Sequence, residues 1–318
     1  MKGWRILKKY AVTAAVLLLI MCLCPMAAMG TEKTDNTGQP VVSFSVDEKS
    51  EYITVMSSST GEVSKIGMRE YLVGCVAAEM PANYHPEALK AQAVASCSYA
   101  KRVSANSSEF ISDSPLTHQG YVSRQARIEK WGDSFEENEA KISAAVDAVY
   151  GCTLTYDGET ALAVYHSISS GKTQSAENLW GEDIPYLRSV TSDGDRLSPD
   201  FAEEKALSSD DFADKLGVTL QGDADEWVES CETEDGYVVR AVICGKEFSG
   251  AQIRDALGLR SSSFEIECTD GEITVTCKGH GHGVGMSQYG ADYMARQGSS
   301  WDEILAHYYP DAEISIPE

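Results

Sequence analysis

Along the 318-residue chain, apolar positions first run together, then repeat at helical spacing, then alternate. The run extends from Tyr10 to Met29, interrupted only by Thr13 and Pro25, and follows Lys2, Arg5, Lys8 and Lys9. It is long enough to cross a bilayer, which takes roughly 20 residues. The four cations predict a cytoplasmic N-terminus and place everything after Gly30 outside. Ala27, Ala28 and Gly30 offer the competing reading of a cleaved signal peptide. The run exceeds a usual signal core, which favours an anchor over residues 1–30. Residues 31–50 are polar without a sustained period and read as a tether.

Residues 51–318 are long enough for one large domain with a substantial core. Helical spacing covers the segment ending at Pro81, then Pro86 to Arg102, then Asn138 to Tyr150. The stretch Cys152–His166 reads as a hairpin about Asp157-Gly158 and leads into the small polar loop Ser167–Thr173. Strand signals recur at Tyr186–Thr191, Trp227–Glu232, Tyr237–Cys244, Phe264–Thr269 and Ile273–Cys277. Short helices are expected at Ser209–Leu216, Ser249–Leu257, Ser287–Arg296 and Trp301–Tyr308. The sum is an α+β fold, with helices and antiparallel hairpins around a groove.

One position breaks the pattern. Glu79 follows Val76, Cys75 and Leu72 by three, four and seven residues, which puts a carboxyl group on an apolar helix face. Pro81 ends the helix just beyond it. Desolvation and the helix C-terminus both favour the neutral acid, the form a general acid needs. A core ion pair with Arg or Lys is the alternative reading.

Charge then excludes a partner class. The totals are 26 Lys+Arg and 49 Asp+Glu. Setting aside the four leader cations leaves 22 against 49, a formal charge of −27. Such a surface suits solubility and is a poor match for nucleic acid. Seven cysteines follow the leader, an odd number. Cys231 with Cys244 and Cys268 with Cys277 flank expected hairpins and are candidate local disulfides, with buried free thiols the equal alternative. No cysteine spacing matches structural zinc.

The segment Gly279-His280-Gly281-His282-Gly283-Val284-Gly285-Met286-Ser287-Gln288-Tyr289-Gly290-Ala291 carries alternating glycines. If extended, it points His280 and His282 to one side. Two imidazoles are not a metal site, and no phosphate-loop pattern is present. The segment reads either as a structural turn or as the lining of a substrate groove.

Taken together, Ala78-Glu79-Met80-Pro81, Glu87–Ala95, His166-Ser167 with Ser170–Thr173, Phe248–Ser261, Gly279–Ala291 and Trp301–Pro310 resemble the stage II sporulation protein D family. The motifs stand in family order over nearly all of residues 51–318. The resemblance implies a peptidoglycan lytic transglycosylase that cuts glycan strands already stripped of peptides, with Glu79 as the catalytic acid. It implies work beside an amidase, and with a membrane partner, in wall remodelling during sporulation. Groove candidates are Ser167 and Lys172 for sugar hydroxyls or the lactyl carboxylate, and His280 and His282 for acetamido groups. Tyr289 is the candidate for stacking on a sugar face, and Gln288 for either substrate contact or helix capping.

Two departures from the family pattern stand out. Cys97-Ser98 replaces a frequent Arg-Thr or Arg-Ser, so a cation is missing unless Lys101 or Arg102 substitutes. The loop Ser112–Tyr121 lacks the cysteine of some members, so no zinc and no other cofactor is expected. Relatives described as amidase enhancers supply the competing expectation, a glycan-binding module that stimulates an amidase.

Overall fold

The computed structural model describes residues 51–105, 110–269 and 271–317. The expected anchor and tether lie outside the described residues. Among the described residues, no helix is long and apolar enough to cross a membrane.

An antiparallel hairpin, β1 (Tyr52–Met56) and β2 (Val63–Gly67), opens the fold, and β3 (Ile111–Ser112) adds to β1 in parallel. Four helices follow: α1 (Met68–Glu79), α2 (Pro86–Ala105), α3 (Arg124–Trp131) and α4 (Phe135–Ala148). Met80 caps α1 in an extended conformation, as Pro81 requires. Ala88, Ala91, Ala93, Ala95 and Ala100 are buried on α2. Their small side chains let α1, α4 and two later helices pack closely around it. Arg127 of α3 is fully buried; its guanidinium grips both carboxylate oxygens of Glu139 at 2.8 Å and Glu70 at 2.8 Å. That fork ties α3 to α1 and α4.

The expected hairpin forms as β4 (Thr153–Tyr156) and β5 (Glu159–Thr160). Asp157 and Gly158 both take positive φ, as a tight two-residue hairpin turn demands. Beyond it only β6 (Tyr165–His166) is strand, followed by the short helix α5 (Ala176–Trp180). The strand expected at Tyr186–Thr191 is absent. Tyr186 and Leu187 are both buried although adjacent, which a pleated strand cannot arrange, and Val190 donates its N–H to Thr173 Oγ1.

The chain then builds a second lobe. One antiparallel sheet joins β7 (Ala202–Ser208) to a later hairpin, and α6 (Ser209–Leu216) follows β7. A second sheet contains β8 (Val228–Glu234), β9 (Tyr237–Ile243) and β10 (Lys246–Phe248). Next come α7 (Gly250–Leu257) and the hairpin β11 (Phe264–Thr269) and β12 (Glu272–Lys278). The seven cysteines beyond the leader are all free. Register explains the hairpin pair, since Cys277 faces Phe264 and Cys268 faces Ile273, a full strand length apart. Cys231 likewise faces Ala241 rather than Cys244.

The chain returns to the first core through β13 (Met286–Ser287), which pairs with β6 in parallel. Helices α8 (Gln288–Arg296) and α9 (Trp301–Tyr308) and strand β14 (Glu313–Ser315), set on β4, complete the fold. The α+β class is as expected.

Candidate active site

Glu79 ends α1 half-buried, and a loop from elsewhere in the chain closes over it. Gly74, one turn and a half earlier, leaves room for that loop: a Cβ there would lie 2.3 Å from the Tyr121 ring. Tyr121 stacks on Tyr71 with centroids 5.6 Å apart. This packing brings Gly120 to the carboxyl group, where its N–H donates to Glu79 Oε1 at 2.5 Å. A Cβ on Gly120 would meet that oxygen at 2.8 Å. Close approach, not unusual backbone geometry, therefore calls for glycine.

The other carboxyl oxygen meets α8. Gln288 Nε2 lies 3.5 Å from Glu79 Oε2 and also donates to Gln92 Oε1 at 3.3 Å. From there donors and acceptors run in one direction. Gln92 donates to Ser96 Oγ at 3.0 Å, Ser96 to Tyr165 Oη at 3.5 Å, Tyr165 to Gln119 Oε1 at 2.8 Å, and Gln119 to Tyr71 Oη at 2.7 Å. Reversing either the Gln92 or the Gln288 amide would set like against like along this chain. The network thus fixes which end of Gln288 faces Glu79.

Burial pushes the Glu79 carboxyl above the ordinary glutamate value; the donors Gly120 and Gln288 only partly offset it. Glu79 makes no ion pair among the described residues, so the core salt bridge is not its structure. Lys101 and Arg102 do not stand in for the missing arginine. Lys101 pairs with Glu51 at 3.1 Å and Arg102 with Glu159 at 2.6 Å, while Cys97 is buried.

The remaining candidates fall at different places. Tyr289 donates its N–H to Ser167 O and its hydroxyl to Leu197 O, so these two share one corner. Lys172 is exposed and meets Asp235 of the second lobe at 3.4 Å. Gly279, Gly281, Gly283 and Gly285 all have positive φ, so the segment is not extended and the two histidines part. His280 is exposed and bridges Ile168, whereas His282 is half-buried with its ring 5.7 Å from His166 and 6.2 Å from Trp180. Burial holds His282 down to about 4 and His166 down to about 3, leaving both neutral near pH 7. No cluster of three or more His, Cys, Asp or Glu suited to a metal is present among the described residues.

A family model described as Stage II sporulation protein matches residues 56–156, the segment that supplies Glu79, Gln92, Gln119 and Gly120. Stage II sporulation protein D of Bacillus subtilis (strain 168) is 36% identical over 97% of this chain and 96% of its own. Its namesake in Bacillus amyloliquefaciens is 42% identical over 83% of this chain and 78% of its own. The chain belongs to the stage II sporulation protein D family. The Amidase enhancer of Bacillus subtilis (strain 168) is more distant, 25% identical over 77% of this chain and 40% of its own.

Gly120, Gln92, Gln119 and Tyr165 join the candidate site around Glu79 without having been singled out by sequence reasoning. The available signals were Gln119 and Gly120 among polar loop residues and Gln92 at an apolar helical position. None of them specifies a partner.

Proposed function

We propose that this member of the stage II sporulation protein D family is a peptidoglycan lytic transglycosylase acting on peptide-free glycan, with Glu79 as its acid and base. The observation that carries the reading is a single half-buried carboxyl group, raised in pKa, held by one backbone N–H and one amide. Gly120 occupies Oε1, so the acidic proton sits on Oε2, on the side of Gln288. That proton passes to the oxygen joining N-acetylmuramic acid to N-acetylglucosamine, and the bond from that oxygen to C1 breaks. Positive charge develops at C1. The ionised Glu79 then takes the proton of the muramoyl O6 hydroxyl as O6 bonds to C1, closing a 1,6-anhydro ring. The carboxyl group ends as it began, and no water is consumed.

The groups identified around Glu79 support this economy. Among the described residues, the groups that bond to Glu79 or titrate beside it, Gly120, Gln288, Tyr99, Tyr165 and Cys75, include no second carboxylate, the partner that two-carboxylate hydrolysis uses. Ser167, Lys172, His280, His282 and Tyr289 are proposed as the glycan-binding arm. Exposed Lys172 is the cation suited to a free lactyl carboxylate. The leader would anchor this chemistry outside the cytoplasmic membrane, beside an amidase that strips the peptides and a membrane partner.

A second reading, a glycan-binding module that stimulates an amidase, draws on the cation missing at Cys97 and on likeness to the amidase enhancer. Mass spectrometry of peptide-free strands separates the two. Ends in 1,6-anhydro-muramic acid from the native chain, absent with Glu79→Gln, support the enzyme. Intact strands with glycan binding retained would replace it with the module.

A further inference from the structure

Asp195 is a fully buried carboxylate with no cationic partner among the described residues. It lies in the single helical turn Asp193–Leu197, and three elements converge on it. Its Oδ2 accepts the N–H of Ser169 at 2.8 Å, from the loop after β6. Its Oδ1 accepts from Ser287 Oγ at 2.8 Å. Burial raises its carboxyl above the ordinary aspartate value, and the serines around it, Ser169, Ser287 and Ser192, partly offset that; Ser192 in turn meets Tyr308 of α9 at 2.7 Å. Acceptors are what this hub needs, and an ionised carboxylate offers only acceptors.

Ser287 is the decisive neighbour. It is the N-cap of α8, and its Oγ accepts the N–H of Gly290 at 3.1 Å. With that lone pair used, the hydroxyl proton is free to point at Asp195. The helix sits hard on the hub: a Cβ on Gly290 would lie 2.1 Å from Tyr308 Oη and 2.3 Å from Ser192 Oγ. Gly194 of the same turn leaves no more room, since a Cβ there would meet the Tyr293 ring at 2.4 Å. Gln288, which faces Glu79, is the first residue of α8 and follows Ser287 directly.

We propose that Asp195 is a positioning residue for Glu79: by holding the Ser287 cap it fixes the first turn of α8 and so presents the Gln288 amide to the Glu79 carboxyl group. The consequence for cleavage rests on the proposed role of Glu79; the geometric consequence does not. Loosening the cap withdraws a donor that stabilises the ionised form of Glu79, so its titration midpoint rises. The other titratable groups facing Glu79 are Tyr99 on α2, Tyr165 on β6 and Cys75 on α1. Burial and proximity raise all three above their ordinary values, so they stay neutral while Glu79 titrates. Those facing Asp195 are Tyr84, Tyr237 and Tyr308, likewise raised and neutral.

The test is carbon-13 NMR titration of the Glu79 side-chain carboxyl in the full chain, with Glu79→Gln to assign the signal. The native chain is compared with Asp195→Asn and with the milder Ser287→Ala, and cleavage rates are measured alongside. The expected result is a midpoint raised by about half a pH unit or more in both variants. Cleavage kcat should fall about tenfold while KM for glycan holds. Lower thermal stability with an unmoved midpoint would make Asp195 merely structural and overturn the inference. If Asp195→Asn does not fold, Ser287→Ala decides alone. A raised midpoint in a chain whose native form leaves glycan intact would uphold the positioning and sink the proposed activity.

Discussion

The two lobes of this molecule bury opposite things. The first core, built from residues 53–190 and rejoined by 284–314, encloses a directed chain of polar groups leading from Gln288 beside Glu79 to Tyr71. The second core is Phe212, Leu216, Ile243, Ile253, Ile273, Val275 and other apolar side chains, and its charges pair on the outside. Arg240 there reaches Glu232 at 3.0 Å and Glu247 at 2.7 Å, and Lys278 reaches Glu265 at 2.7 Å. Buried polar networks need every member satisfied, and that constraint fixes side-chain directions in a way apolar packing does not. The first lobe uses the constraint to orient a carboxylic acid. The second contributes Tyr237, whose hydroxyl bonds to Lys172 O, and Asp235, which meets Lys172 itself.

The contrast breaks most sharply at Glu79. Glu79→Gln is expected to lower cleavage about a thousandfold, the usual scale for losing a positioned general acid. It should also stabilise the fold. Because the folded state raises the Glu79 pKa above 4.5, its stabilising protonation is complete below that value and is lost as pH rises through the folded pKa. The melting temperature of the variant should therefore gain on the native chain from acid towards neutral pH, as calorimetry across that range would record. An equal gap at every pH would contradict the burial argument.

Gly120→Ala comes next. Its methyl group would press on Glu79 Oε1 and on Ala78 Cβ at 3.1 Å, displacing the loop that supplies the N–H. A loss of about a hundredfold in kcat is expected, since such displacement of a reacting group costs about that much. Steady-state kinetics with intact glycan binding would confirm it, and native activity would refute it.

His166 sharpens the comparison from the acid side. Burial holds it down from 6.5 to about 3, so its neutral form stabilises the fold above 6.5 and that contribution is lost as pH falls towards 3. In His166→Gln, the drop in melting temperature between pH 7 and pH 4 should shrink relative to the native chain. At the small end stands Arg240→Ala on the second lobe, whose exposed pairs should leave both melting temperature and cleavage unchanged. A measurable loss of activity there would mean that the lobes are coupled more tightly than their separate cores indicate.

Glu79 was legible because its anomaly is local: an acid at an apolar helical position, stopped by proline. The α+β class was equally readable from runs of period and turn residues such as Asp157-Gly158. The shell around Glu79 was not, since Gly120 and Gln288 reach it from 41 and 209 residues away. Asp195 looked like one more acid in an acidic chain until three elements were seen to meet on it. The hairpin of β1 and β2 and helix α3 carry weaker local signals, a short alternation in Tyr52–Met56 and a cap at Ser123. Tyr186–Thr191 misled in the opposite direction, because its apolar residues are buried by a turn rather than by pleating.

In the proposed reaction one carboxyl group donates a proton to the glycosidic oxygen and takes another from O6 while the substrate closes on itself. This is tested most directly by cleaving peptide-free strands in isotope-labelled water and weighing the new ends. Ring closure by O6 predicts 1,6-anhydro ends carrying no label from the solvent. Reducing ends carrying one labelled oxygen would show that water is the nucleophile and would contradict it.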